Sequence, residues 1–226
     1  MNNQYLYCYS GGDGKKSAIL KVVTINLRHN VDWWQDRFPL AAEEIVRLRP
    51  DIIGIQEMAI GFNQSKELIK LINQKAGEAK INYSVYEHLK TGNYMLSGEG
   101  ISIFSRFPIK EKAFTELGNG RIALFTRIEA LPELTVDFYN THLHNEGGDE
   151  ARLPQMRKIL EFINSRGGAN PVIFTGDMNA TEHSKTIGLL TGENHFIDTY
   201  KSFHKGKIRH GTKNGWGLRG FFNSAM

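Results

Sequence analysis

Pro171-Val172-Ile173-Phe174-Thr175-Gly176-Asp177-Met178-Asn179-Ala180 is the stretch on which the reading of this chain turns. A short continuous apolar run bounded by Pro and Gly reads as a strand buried on both faces, so Asp177 and Asn179 emerge where that strand leaves the core. Period two puts the two side chains on one face. A carboxylate able to orient or deprotonate a water, with an amide beside it able to hold an oxyanion, suits attack of water on a phosphate ester. Gly-Asp and Asn-Ala are also ordinary turn chemistry, and an Asx turn remains the alternative at this point.

Three further segments repeat the design. Asp51-Ile52-Ile53-Gly54-Ile55-Gln56-Glu57 is a second apolar strand, preceded by Arg49-Pro50 and ending in an acid. From Leu134 to His142 the residues alternate: Leu134, Val136 and Phe138 share a face with Asn140 and His142, while Thr135, Asp137 and Tyr139 face the other way. Leu20 to Leu27 is a fourth strand that presents Asn26 near its end. Each of the four is expected to bring a polar group to its end on the inward face, where loops beside strand ends commonly carry chemistry.

Together these segments resemble the endonuclease/exonuclease/phosphatase superfamily, the DNase I-like proteins. The matching pieces, in the family's order, are Asn26, "PDIIGIQE" from Pro50 to Glu57, "GISIFSRFPI" from Gly100 to Ile109, "YNTHL" from Tyr139 to Leu143, "TGDMNA" from Thr175 to Ala180 and "DTY" from Asp198 to Tyr200. Each motif is weak alone, whereas six in order over residues 19 to 212 are specific. The resemblance implies an α+β fold, a four-layer α/β/β/α sandwich, in a single domain spanning residues 1–226. It also implies a metal-dependent phosphoesterase that cleaves phosphodiester or phosphomonoester bonds by activating a water at a magnesium-bound phosphate, with manganese as a substitute and nucleic acid among the substrates.

The family's roles carry over residue by residue. Glu57 is similar to the carboxylate that holds Mg²⁺, whose other positions water and phosphate oxygens would fill. Asp177 resembles the residue that orients the attacking water, His142 the histidine that contacts the phosphate, and Asn179 and Asn26 the amides that position phosphate or metal-bound water. Arg106, in the Ser-Arg-Phe-Pro turn, and Asp198 are weaker substrate-binding candidates: bracing a loop is the favoured reading of the first and capping a turn that of the second. Arg152 and Gln155 also match a recurrent family feature, yet a structural salt bridge and a solvated helix face are the simpler expectation for them.

The chain departs from the family pattern after Gly211-Thr212. The resemblance calls for an Ile-Asp-Tyr strand and a final Ser-Asp-His motif, and neither is in the sequence. The expectation is therefore a sandwich lacking its C-terminal strands, with an open sheet edge through which copies could associate. Slow hydrolysis is expected too, because the missing acid and histidine would act with Asp177. The alternative function is a catalytically impaired member that binds phosphorylated ligands or a protein partner.

Composition agrees with one domain. The chain has 226 residues of which 40% are hydrophobic, enough for a substantial core, and no linker, repeat or low-complexity tract divides it. Helices are expected at residues 40–48, 65–76 and 154–164, with strands between them. A formal charge of +4 is too small for a dedicated DNA clamp, although the basic residues after Asp198 have no acid among them. The lone Cys8 excludes an internal disulfide. With no signal peptide or membrane span in the sequence, the expected location is the cytoplasm, a reading that does not exclude secretion.

Three other signals are set aside. Gly14-Lys15-Lys16 lacks the upstream glycine and following Ser or Thr of a phosphate-binding loop. His142-Leu143-His144 with Asn194-His195 hints at a dinuclear metallophosphoesterase, but the Asp-x-His strand that would open such a site is absent. Trp33-Trp34 is expected to pack as a turn against the sandwich edge rather than to stack bases.

Overall fold

In the computed structural model, which describes residues 19–131, 134–168, 170–203 and 219–224, ten strands form two sheets. Cys8, the Gly14-Lys15-Lys16 stretch and most of the basic run after Lys201 lie outside the described residues. The smaller sheet contains β1 (Val22–Asn26), β2 (Ile52–Ala59), β3 (Ser84–Leu89) and β4 (Glu99–Ser105) in the order β1-β2-β4-β3. The larger contains β5 (Ile109–Gly118), β6 (Arg121–Leu131), β7 (Leu134–His142), β8 (Val172–Asp177), β9 (Phe196–Asp198) and β10 (Arg219–Ser224) in the order β5-β6-β7-β8-β10-β9. The pairings β1–β2 and β7–β8 are parallel and the remainder antiparallel.

Alternation along the strands sorts the apolar residues into three cores. Val22, Ile52, Ile101, Ile103, Leu124, Val136, Phe138 and Ile173 meet between the sheets. Their sequence neighbours Val23, Ile25, Ile53, Ile55 and Phe104 face outward, against α1 (Trp34–Leu48) and α2 (Gln64–Ala76). On the opposite side Phe125, Tyr139 and Phe174 pack against Met156, Ile159 and Phe162 of α3 (Gly148–Arg166) and Ile187 of the short α4 (Lys185–Gly188). The fold is thus α+β, with helices on the outer faces of two packed sheets.

Two helices begin earlier than the apolar stripes suggest. α1 starts at Trp34 and carries Pro39 inside it, and α3 starts at Gly148 with Pro154 as its seventh residue. A proline this close to a helix start leaves unmade a hydrogen bond of the first turns, and its fixed φ is already helical. Trp34 enters the core edge-on to Phe38 with ring centroids 5.0 Å apart, whereas Trp33 stays exposed.

The expected open sheet edge is not found at β8, where a C-terminal strand is present. Residues 219–224 form β10, which pairs antiparallel with β8 on one side and β9 on the other, Arg219 lying opposite Asp177 and Phe222 opposite Asp198. An unpaired β8 edge would leave a row of backbone donors and acceptors without partners, and an aromatic-containing segment with strand propensity satisfies them.

The two sheets approach each other closely at Gly54 of β2. A Cβ there would come 2.9 Å from Asn140 Oδ1 and nearer still to Thr175 Oγ1. Gly54→Ala is therefore expected to force the sheets apart locally and cost about 1–3 kcal/mol, by the usual scale for overpacking. Chemical denaturation checks this, with a parental midpoint as the contrary result.

Candidate functional site

A buried polar layer crosses between the sheets just below the strand ends. Asn140 of β7 donates through Nδ2 to the carbonyls of Ile55 (3.0 Å) and Ser102 (3.0 Å), and its Oδ1 accepts from Gln56 Nε2 at 2.7 Å. Gln56 Nε2 also reaches Thr24 Oγ1 at 3.0 Å, and Thr175 Oγ1 donates to the Tyr139 carbonyl at 3.0 Å while lying 3.3 Å from Asn140 Oδ1. Three members of this layer stand two residues before a candidate site residue: Thr24 before Asn26, Asn140 before His142, Thr175 before Asp177. Period two then stacks the site directly over the layer.

In the site itself Asn26 links the two sheets. Its Nδ2 donates to Glu57 Oε1 at 2.7 Å and to Asp177 Oδ2 at 3.1 Å, while its Oδ1 accepts from the Arg28 backbone at 2.8 Å, which sets the amide's orientation. Asp177 accepts at its other oxygen from the backbone N–H of Asn179, 3.2 Å away, and Asn179 Nδ2 donates to the Leu143 carbonyl at 2.9 Å. His142 lies opposite Asp177 in the parallel β7–β8 register, with Nε2 3.9 Å from Glu57 Oε1. Asn26, Glu57, His142, Asp177 and Asn179 therefore share one cleft.

Glu57 reaches it only through a backbone irregularity. Strict alternation along β2 points Gln56 inward and Glu57 toward the helices. The β2–β4 register instead shifts between Ile55 and Met58, and Glu57 adopts φ +52°. This bulge turns the Glu57 side chain into the cleft and returns Met58 to the outer core. Asn179 is likewise left-handed, at φ +46°. Asparagine adopts this conformation readily, whereas at a glutamate it is strained and fits a residue that the surrounding structure holds for a purpose other than stability.

The loops around the cleft are tied down from below. Arg37 of α1 donates to the carbonyls of Leu27 (3.1 Å), Arg28 (3.2 Å), Val31 (2.7 Å) and Asp32, moulding the loop that follows Asn26. Buried Gln64 joins that loop to the end of β2 by donating to the His29 carbonyl and accepting from the Ala59 N–H. Arg152 and Gln155 are also buried, which corrects the expected solvated face. Gln155 accepts from His144 N at 2.9 Å and donates to the Gly118 carbonyl at 3.1 Å, and Arg152 donates to the His144 carbonyl at 3.0 Å. They clamp the loop after His142.

Arg106 is placed away from this group, and Asp198 lies on β9 at the edge of the larger sheet. Arg106 binds Asp51 through its guanidinium at 3.1 Å and its backbone N–H at 2.9 Å, at the opposite end of β2 from Glu57. The loop-bracing role, and not substrate contact, is the one its position serves. Asp198 Oδ1 accepts from Lys201 N at 3.0 Å, capping the turn into α5 (Thr199–Phe203), and it lines a small pocket with Glu182, Ile187, Thr191, Lys201 and Ser202.

Glu99, Lys90 and Arg121 join the cleft without having been singled out in the sequence. One carboxylate oxygen each of Glu57 and Glu99 and one ring nitrogen of His142 lie within 4.8 Å of one another. That donor set, mainly carboxylate, suits a hard divalent cation, and the partly exposed Glu57 side chain leaves room for water to complete a shell. Lys90 forms a buried ion pair with Glu99. Its burial, reinforced by the nearby Arg121 guanidinium, pulls the ammonium below its usual pKa range against the opposing pull of Glu99. Arg121, itself buried, donates to Asn145 Oδ1 at 3.0 Å. The signal for Glu99 was its setting in Gly98-Glu99-Gly100, where Gly98 is left-handed and a Cβ on Gly100 would strike the His88 carbonyl.

Comparison with known proteins agrees with this fold. A profile of the Endonuclease/Exonuclease/phosphatase family matches residues 23–224. Among curated proteins the chain is similar to "Protein angel" of Drosophila melanogaster, at 28% identity over 84% of this chain and 60% of that protein. It is also similar to a "Putative neutral sphingomyelinase" of Caenorhabditis elegans, at 26% identity over 69% of this chain and 38% of that protein. The chain thus spans 60% or less of the length of these relatives. Among solved structures, a mannosyl-6-phosphatase of Bacteroides thetaiotaomicron superposes with TM-score 0.71 at 20% identity, covering 90% of this chain and 84% of that one. The human Nocturnin catalytic domain superposes with TM-score 0.70 at 21% identity, covering 84% and 75%. Among the described residues no helix is long and apolar enough to cross a membrane.

Proposed function

The chain belongs to the endonuclease/exonuclease/phosphatase family, and on that premise we propose that it is a metal-dependent phosphoesterase whose site is built from Asn26, Glu57, His142, Asp177 and Asn179 with Glu99 alongside. The observation that carries the reading is the single amide of Asn26 bridging Glu57 of one sheet and Asp177 of the other. A cation-binding carboxylate and a water-activating carboxylate must stand at a set separation with a phosphate between them, and this bridge sets it.

The residues divide the work. Asp177, held at both oxygens by donors, takes the proton of a water placed beside it. Asn26 and Asn179 fix the orientation of that carboxylate. His142, two residues above the buried polar layer, offers its ring to a phosphoryl oxygen as charge builds there. Glu57, with His142 and Glu99 close by, would hold Mg²⁺ or Mn²⁺, which when bound supplies neutralisation of phosphate charge. The relatives include a putative neutral sphingomyelinase and a mannosyl-6-phosphatase, so the assay panel should include a diester, a monoester and a short single-stranded nucleic acid.

The test is Glu57→Gln, which keeps the shape and the contact with Asn26 but removes the charge. Calorimetric titration with Mn²⁺ should show affinity sharply reduced, and hydrolysis of the best substrate should fall by about 10²-fold or more. Parental Mn²⁺ binding and parental turnover in this variant would remove Glu57 from the site and the metal-dependent reading with it.

A further inference from the structure

The buried Lys90–Glu99 pair brings one member, Glu99, into the cation cluster, and its other member, Lys90, has no part in the chemistry assigned above. Lys90 directly follows β3 and Glu99 opens β4; their backbones are joined by a 2.9 Å hydrogen bond from Lys90 N to the Glu99 carbonyl, so the side chains leave neighbouring strand ends together. The pair is 5% exposed at Lys90 and 10% at Glu99, against 19% for the Glu57 side chain. Glu57 can therefore complete a cation's shell with water, whereas Glu99 is enclosed with a fixed positive charge on its Oε1.

We propose that Lys90 is a positioning residue that holds Glu99 as its own counter-ion, so that Glu57 and not Glu99 dominates cation binding and the bound cation keeps positions open for phosphate. The proposal rests on the reading of this cluster as a divalent-cation site. Two cations sharing one carboxylate repel each other, and in an enclosed site that repulsion is poorly screened. Glu99 engaged by an ammonium is consequently a weak ligand. Without the ammonium, Glu99 is a bare buried carboxylate 4.8 Å or less from the other donors, and entering the cation's shell is its best source of compensation. Such a shell would bind the cation more tightly and leave fewer positions for substrate.

Titration of the full chain with Mn²⁺ alone, read by electron paramagnetic resonance of the free ion, separates the outcomes. Lys90→Met should bind Mn²⁺ about tenfold more tightly than the parent, the scale on which neighbours of metal ligands alter affinity. Lys90→Met combined with Glu99→Gln should bind no more tightly than Glu99→Gln alone. Melting temperature should also rise more on Mn²⁺ addition in Lys90→Met than in the parent. Lys90→Gln, which keeps a donor beside Glu99, should show the same direction and serves if Lys90→Met does not fold. If a folded Lys90 variant has parental or weaker affinity, or the gain persists without the Glu99 carboxylate, the proposal is overturned while the cation site stands. Failure of the parent and every variant to bind Mn²⁺ overturns the cation site itself, and this proposal with it.

Discussion

Asp177→Asn is expected to lower kcat by about 10³-fold or more while leaving the protein folded, the loss typical of a removed general base together with the charge that aligns its water. The carboxylate accepts from Asn26 Nδ2 and from the Asn179 N–H, one donor on each oxygen. An amide can accept at only one of its two ends, so the substitution sets its own NH₂ against one of those donors and costs stability of order 1 kcal/mol. Removing one of the negative charges grouped around Asn26 offsets part of that cost. The expected signature is a near-parental melting temperature with turnover lost for monoester and diester alike, and Mn²⁺ binding through Glu57 retained. Turnover within tenfold of the parent would show that another group activates the water.

The second large effect is expected at Asn140, which does not touch a reacting group. Its amide holds the Ile55 and Ser102 carbonyls of the smaller sheet and accepts from Gln56, all in a fully buried layer. Asn140→Leu removes these contacts at once, taking a buried partner from each of the two carbonyls and from the Gln56 amide, which keeps Thr24 and Gly54. The expected loss is about 3–5 kcal/mol, the range reached when a buried hydrogen-bonded network is broken. Because the layer also sets the register between the strand ends bearing Glu57 and those bearing His142 and Asp177, kcat should fall more than melting temperature alone explains, even at temperatures where the variant is fully folded. A variant that is destabilised but turns over at the parental rate when folded would restrict Asn140 to a packing role.

The two predictions depend on different kinds of information. The inward faces of Asn26, His142 and Asp177 are legible in the sequence because β1, β7 and β8 alternate without interruption up to those residues. The apolar residues four before each one, Val22, Phe138 and Ile173, lie in the intersheet core, so the polar residue at the end follows them onto the same face. Asn140 is legible in direction for the same reason, but its function is not. Its partners are 38 and 85 residues away in the chain, and a buried amide in a strand pattern does not announce which carbonyls it will meet.

Glu57 marks the limit of alternation. Its identity was readable from the strand that ends in it, yet period two aims it at α1 and α2. Only the bulge at Ile55–Met58, paired against β4, brings it inward. Arg106 shows the converse: a motif position that looks competent to bind phosphate is spent on Asp51, because the β4 turn falls at the far end of β2. Arg152 and Gln155 sit on a helix whose apolar stripe suggests they are solvated, and docking of the loop after His142 buries them.

What the sequence alone determined was the family, the α+β class, the alternation that builds the two inner faces, and the strand ends where the site would lie. These follow from local periodicity and motif order, which are properties of neighbouring residues. Tertiary structure alone decided that Glu57 turns into the cleft, that Glu99 stands beside it in Lys90's grip, that residues 219–224 cover the β8 edge, and that Asn26 and Asn140 each join the two sheets. Each of these depends on strands remote in the chain meeting in one register, and the register is set by the packing of two whole faces, not by any local pattern within one strand.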